Sequence, residues 1–123
     1  MGNYQKEIAD YTQAIAINPQ NDTAYYNRGI TYGELNNVKS AIADYTKAIS
    51  INNANYRAYY TRGRAYLLIG NFTAALKDAN KCIELAPTNG KYYFLRGAIH
   101  KANGDTLRAD ADFAKARSMG YAP

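Results

Sequence analysis

One stretch of this chain occurs three times. Tyr25-Tyr26-Asn27-Arg28-Gly29-Ile30-Thr31-Tyr32 returns as Tyr59-Tyr60-Thr61-Arg62-Gly63-Arg64-Ala65-Tyr66, and again as Tyr93-Phe94-Leu95-Arg96-Gly97-Ala98-Ile99-His100. Gly29, Gly63 and Gly97 stand 34 residues apart both times, with no insertion. A fixed period in this range marks an array of small units, each too thin to bury its own apolar face, so that neighbours must stack.

Aligned at that period, the chain shows further columns. They include small residues (Ala41, Ala75, Ala109; then Ala14, Ala48, Cys82, Ala116), a ring column (Tyr11, Tyr45, Phe113, interrupted by Ala79) and an aliphatic column (Ile15, Ile49, Ile83). Tyr25, Gly29 and Tyr32 lie at i, i+4 and i+7, one face of a helix, and Ala41, Tyr45 and Ala48 repeat that spacing. Breaks fall at Asn36-Asn37, Gly70-Asn71 and Gly104-Asp105, with the same signal at Gly2-Asn3, and between units at Asn18-Pro19, Asn52-Asn53 and Ala86-Pro87. These are cap and stop signals. The pattern predicts an all-α chain of seven helices, at 4–17, 22–35, 38–51, 56–69, 72–85, 90–103 and 106–118. Glycine and alanine at matched depths let paired helix axes approach, and flanking rings fill the remaining space. The expected architecture is a superhelical stack of antiparallel helical hairpins, one domain over 1–123, with a half repeat at 1–21 and full repeats at 22–55, 56–89 and 90–123.

The 34-residue period, with Tyr25, Gly29, Tyr32, Ala41, Tyr45 and Ala48 in its best row, resembles the tetratricopeptide repeat. The resemblance covers nearly the whole chain. It implies a non-catalytic scaffold that holds a peptide or partner protein in its concave groove, lined by the first helix of each hairpin. Some members grip the acidic C-terminal tail of heat-shock chaperones with a carboxylate clamp. Of that clamp only fragments stand here: Asn27 matches its middle Asn and Arg57 stands for a Lys, but Thr61 replaces a needed Arg.

The chain departs from the family where Arg28, Arg62 and Arg96 replace a common leucine. Each has aspartate counterparts in the column Asp10, Asp44, Asp78, Asp112. A half-buried arginine needs acceptors for its donors, so a ladder of Arg–Asp pairs is expected. Periodicity leaves open whether Arg28 meets Asp44 within its repeat or Asp10 in the one before. Glu7 occupies an alanine column; it is expected to face water, on a first helix that stands alone or packs on a second molecule, the competing reading being a longer array cut short at a tolerant repeat. Ala79 leaves its hairpin short of a ring, unless Leu67, Leu76 or Phe72 leans in.

The groove face lies about 100° from the Tyr25–Gly29–Tyr32 stripe. It carries Thr23, Tyr26, Asn27, Ile30 and Glu34 in one row, Arg57, Tyr60, Thr61, Arg64, Leu67 and Leu68 in the next, and Lys91, Phe94, Leu95, Ala98, Lys101 and Ala102 in the last. Tyr26, Tyr60 and Phe94 form an aromatic stripe, surrounded by Arg57, Arg64, Lys91 and Lys101. An extended acidic peptide with apolar anchors suits such a face. The competing view makes the rings helix packing and the charges a solvated surface. The peptide-binding candidates are Tyr26, Asn27, Ile30, Arg57, Tyr60, Arg64, Lys91, Phe94 and Lys101.

Other function classes fit less well. The net charge of +5 over 123 residues is moderate and dispersed, short of the dense basic patch that phosphate-driven nucleic-acid binding needs. The 13 tyrosines fall mostly in packing columns rather than on a base-stacking platform. His100 is the sole histidine and Cys82 the sole cysteine, so no zinc set or catalytic pair is expected, and no cofactor. Gly29, Gly63 and Gly97 sit inside helices and make no nucleotide fingerprint. No apolar run approaches membrane-spanning length and the N-terminus lacks a signal-peptide core, which favours a reducing, cytoplasmic setting. The first helix presents Ile8, Tyr11 and Ile15 without an earlier partner, so self-association by helix exchange or end-to-end stacking is the alternative role.

Overall fold

A computed structural model describes residues 3–122. Gly2, named above as a repeat signal, lies outside the described residues. Those residues form seven helices and no strand: α1 (Tyr4–Ile17), α2 (Asp22–Glu34), α3 (Val38–Ile51), α4 (Tyr56–Leu68), α5 (Phe72–Leu85), α6 (Gly90–Ala102) and α7 (Thr106–Ser118). All seven expected helices are present. α2, α4 and α6 end one residue early, because the turn that follows each begins inside the helical spacing.

Every helix starts on an Asn or Asp. Side-chain oxygens of Asn3, Asn21, Asn37, Asn71, Asn89 and Asp105 accept from backbone N–H groups in the first turn of their helices, and Asn55 does so for α4 from Ala58. Such caps satisfy donors the helix itself leaves open. Each hairpin turn passes through a left-handed residue: Asn36 (φ 60°), Gly70 (φ 79°) or Gly104 (φ 85°). The next residue then donates back across the turn, Asn37 to Tyr32 at 2.9 Å, Asn71 to Tyr66 at 2.9 Å and Asp105 to His100 at 2.8 Å. This closure ties up the last carbonyls of the helix.

The chain divides into two compact units at Ala58–Tyr59, within α4. In the first unit α2 pairs with α3, and α1 packs against α2. Ala41, Tyr45 and Ala48 are buried on α3, opposite Gly29 of α2. No residue of α1 is fully buried; Ile8, Tyr11 and Ile15 are half-covered. Glu7 is also half-covered and accepts a 3.2 Å hydrogen bond from the Thr31 hydroxyl. A polar residue on α2 thus receives it, while part of Glu7 stays open to water.

The second unit runs from Tyr59 through α7. Ala75 and Ala79 on α5 pack against Leu95 and Ile99 on α6, with Phe72, Leu76, Leu67 and Tyr66 at the margin. Leu95, expected on the groove face, is 4% exposed and lies within this cluster. Gly63 shows why: an added Cβ there would lie 3.5 Å from Leu95 Cδ2. Leu95 thus occupies space that a ring fills in the hairpins carrying Tyr45 and Phe113.

The helix glycines differ in how tightly they are held. A Cβ on Gly29 would lie 2.6 Å from the Tyr45 ring, and one on Gly97 would lie 2.8 Å from the Phe113 ring. On Gly63 the closest atom would be Asp78 Cβ at 3.2 Å. Replacing glycine by alanine inside a helix gains about 1 kcal/mol of propensity, whereas overpacking costs about 1–3 kcal/mol. Gly29→Ala and Gly97→Ala are therefore expected to lower the urea midpoint, and Gly63→Ala to leave it nearly unchanged. Equal shifts at all three sites would contradict this account.

Candidate functional site

The arginine column is resolved within each hairpin. Arg28 donates from Nε and Nη2 to the two oxygens of Asp44, both at 2.8 Å. Arg62 does the same to Asp78 at 2.8 and 2.7 Å, and Arg96 to Asp112 at 2.8 and 2.8 Å. Asp10 is exposed; it is the hydroxyl of Thr12 on α1 that receives Arg28, at 3.2 Å. Asn80 on α5 receives Arg96 in the same way, at 3.0 Å. Hydrogen bonds to these aspartates raise the arginines above their ordinary pKa.

The tyrosine columns have a second role. Arg28 lies 5.6 Å from the Tyr25 ring centre and 5.9 Å from that of Tyr32, and Arg62 lies 5.7 Å from both Tyr59 and Tyr66. Arg96 has Tyr93 at 5.4 Å, with His100 in place of the second tyrosine. Planar guanidinium suits both the carboxylate fork and the ring faces. The column thus links the two helices of each hairpin, and Arg96, more exposed than Arg28 or Arg62, also borders a cleft.

In the second unit α4, α6 and the segment after α7 enclose a cleft of about 550 Å³. Tyr60, Arg64, Leu67 and Leu68 come from α4; Lys91, Phe94, Leu95 and Ala98 come from α6; Tyr121 closes one side. Lys91 Nζ stands 4.5 Å from the centre of the Tyr60 ring and Arg64 Cζ 5.7 Å from it. Burial pushes the Tyr60 phenol above its ordinary pKa, while Arg64 pulls it back. No acidic side chain lines the cleft. Leu68, 72% exposed, is a large apolar side chain left open at its edge.

Each ring of the expected stripe also has a ring neighbour in its own unit. Tyr26 lies 5.8 Å from Tyr45, Tyr60 lies 5.5 Å from Tyr92, and Phe94 lies 5.1 Å from Phe113 and 5.4 Å from Tyr121. The rings are both packing and lining. The structure brings Tyr60, Arg64, Lys91 and Phe94 together. Lys101 and Arg57 are exposed and do not line this cleft, while Tyr26, Asn27 and Ile30 are half-buried in the first unit. Tyr121 is absent from the candidate set. Its sequence signal is that it stands 34 residues after Pro87, at a position held by Pro19, Asn53 and Pro87 in the other rows, where a ring instead of proline could have been read as a lining group. Phe94 and Tyr121 also border an adjoining pocket of about 310 Å³ with Phe113 and Arg117.

The family model described as tetratricopeptide repeat matches residues 23–55 and 56–89, and a second, described as TPR repeat, matches residues 1–36. The chain belongs to the tetratricopeptide repeat family. Among solved structures, a crystal structure of MamA superposes on this tetratricopeptide chain with TM-score 0.92 at 24% identity, covering 97% of this chain and 70% of that one. MamA from residue 41 to its end, from Desulfovibrio magneticus RS-1, gives TM-score 0.90 at 23% identity, covering 97% and 67%. At such identities the likeness concerns the fold. The second TPR of Spaghetti (RPAP3), bound to the HSP90 peptide SRMEEVD, gives TM-score 0.77 at 27% identity over 83% of this chain and 94% of that one. No curated protein matches the chain by sequence.

Neither His100 nor Cys82 is set up as a catalytic group. His100 Nε2 stands 3.8 Å from Asp112 Oδ2, beyond hydrogen-bond reach. Burial pushes the Cys82 thiol up to about 12. Thiolate is the reactive form, so iodoacetamide at pH 8 is expected to leave Cys82 unmodified in the native protein and to label it fully in urea. Rapid native labelling would contradict the burial. Among the described residues no group of three His, Cys, Asp or Glu side chains could hold a metal ion, and no helix is long and apolar enough to cross a membrane.

Proposed function

We propose that this tetratricopeptide repeat chain is a protein-interaction scaffold that holds an extended acidic peptide, with the cleft between α4 and α6 as its main anchor point. The observation that carries this reading is the Tyr60 ring flanked by Lys91 and Arg64 in a cleft without a carboxylate. Two cations fixed over an aromatic floor orient an acidic group, and Phe94, Leu68 and Tyr121 offer apolar area to the residue beside it. The related domain bound to SRMEEVD, a peptide with adjacent glutamates, supports the same class of ligand. Tyr26, Asn27, Ile30 and Arg57 are proposed as further peptide contacts within the first unit, and Lys101 as one on the exposed face of α6 in the second. The repeat boundaries proposed with it are a half repeat over 1–21 and full repeats over 22–55, 56–89 and 90–123.

The test is calorimetric titration with the peptide Ser-Arg-Met-Glu-Glu-Val-Asp. A hydrogen bond to a charged group contributes about 1.5–3 kcal/mol. Reversing Arg64 and Lys91 together to glutamate should weaken binding by about a hundredfold or more, with the circular dichroism spectrum unchanged. Tyr60→Ala and Phe94→Ala should weaken it further, and a single-stranded oligonucleotide should not compete. Wild-type affinity in the double reversal would reject the cleft as the binding site.

A further inference from the structure

A second cleft, of about 430 Å³, opens in the second unit between α5, α6 and α7. We propose that it binds the phosphoryl group of a small phosphate ester. It shares no lining residue with the cleft beside Tyr60.

The repeat itself provides the reference. In the two preceding hairpins the arginine has a tyrosine on each side; in the last one His100 replaces the second tyrosine, and the guanidinium side opens. The Arg96 side chain is 28% exposed, against 18% for Arg28 and 17% for Arg62. At the rim Arg108 stands where the earlier hairpins have Ser40 and Ala74. Both changes fall on the same cleft: the first uncovers Arg96 and the second adds a guanidinium.

Donors then outnumber acceptors. Each oxygen of Asp112 accepts one bond from Arg96, and the Asn80 carbonyl oxygen accepts one from Arg96 Nη1. Arg96 uses three of its five N–H groups in these bonds. The Asn80 amide nitrogen meets no acceptor among the described residues, and Arg108, 74% exposed, spends one guanidinium nitrogen on Asp105 at 3.0 Å. The complement of such a wall is a group with acceptors only and negative charge. Three helices supply the donors from different directions. A tetrahedral phosphoryl group can meet all three, whereas a planar carboxylate is matched by one guanidinium fork, as Asp112 already shows. Leu76 and Ala111 complete the lining and would cover the carbon skeleton.

NMR titration of the 15N-labelled protein with inorganic phosphate, glycerol 3-phosphate and acetate tests the proposal. Saturable shifts around Asn80, Arg96 and Arg108 are expected with both phosphates, tighter for glycerol 3-phosphate, and not with acetate. His100→Tyr restores the residue of the other hairpins and closes the opening; Arg108→Ala removes an exposed side chain. Each should weaken phosphate binding at least tenfold, with the native spectrum retained and the affinity for Ser-Arg-Met-Glu-Glu-Val-Asp unchanged. Absence of saturation in the wild type, equal affinity in both variants, or equal binding of acetate would overturn the site. Equal affinity for the two phosphates would overturn the ester and leave a site for free phosphate.

Discussion

Asp78→Ala should destabilise the protein by about 3–5 kcal/mol, the usual cost of removing one partner from a buried ion pair. Asp78 is 2% exposed, and both its oxygens accept from Arg62. Without it the guanidinium stays held beside Tyr59 and Tyr66, largely out of water and with its fork unmatched. The loss is large against a total domain stability of about 5–15 kcal/mol. Asp78→Asn retains one acceptor and should cost less. Replacing both partners, Arg62→Met with Asp78→Leu, should recover most of the loss, because no charge is then stranded. Asp10→Ala, at an exposed position of the same column, should change stability by less than about 0.5 kcal/mol. Urea denaturation of the four variants is the measurement. A loss below 1 kcal/mol in Asp78→Ala would show that water reaches Arg62 readily.

Ala79→Tyr is the second large effect, and its sign comes from the structure. The repeat pattern alone makes the substitution look like a repair, since Tyr45 and Phe113 hold the same column. Ala79 is fully buried, however, and packs with Ala75, Leu95 and Ile99. A phenol ring would need the volume Leu95 now fills. Overpacking of this size should cost about 3 kcal/mol or more. Leu95→Ala by itself should cost about 2–5 kcal/mol through the cavity it leaves. Combining Ala79→Tyr with Leu95→Thr, the residue at the equivalent position of α4, should cost less than the sum of the single changes by about 1 kcal/mol or more. Thermal and urea unfolding report this coupling. A raised midpoint in Ala79→Tyr alone would mean that the hairpin does have an unfilled space.

Whatever depends on neighbours along the chain was legible in the residues. Helix positions follow from the spacing of Tyr25, Gly29 and Tyr32 and of Ala41, Tyr45 and Ala48. Their ends follow from Asn37, Asn71 and Asp105, whose side chains cap the helix that contains the next few residues. These are local effects, acting over one or two turns. The existence of the Arg–Asp pairs was also legible, because a recurring arginine among packing residues must find acceptors.

The tertiary structure decided which of two equally spaced partners each group takes. Arg28 reaches Asp44 and not Asp10, because the two helices of a hairpin place fork and carboxylate face to face, whereas the preceding helix presents Thr12. Leu95 lines the cleft, as its helix position suggests, yet is buried in the core as well, because Ala79 leaves a space beside Gly63 that an aliphatic side chain fills. Tyr121 joins the cleft only because the left-handed Gly120 turns the chain back after α7. In each case the sequence determined the element and its faces, while packing volume between elements distant in the chain determined what each face meets.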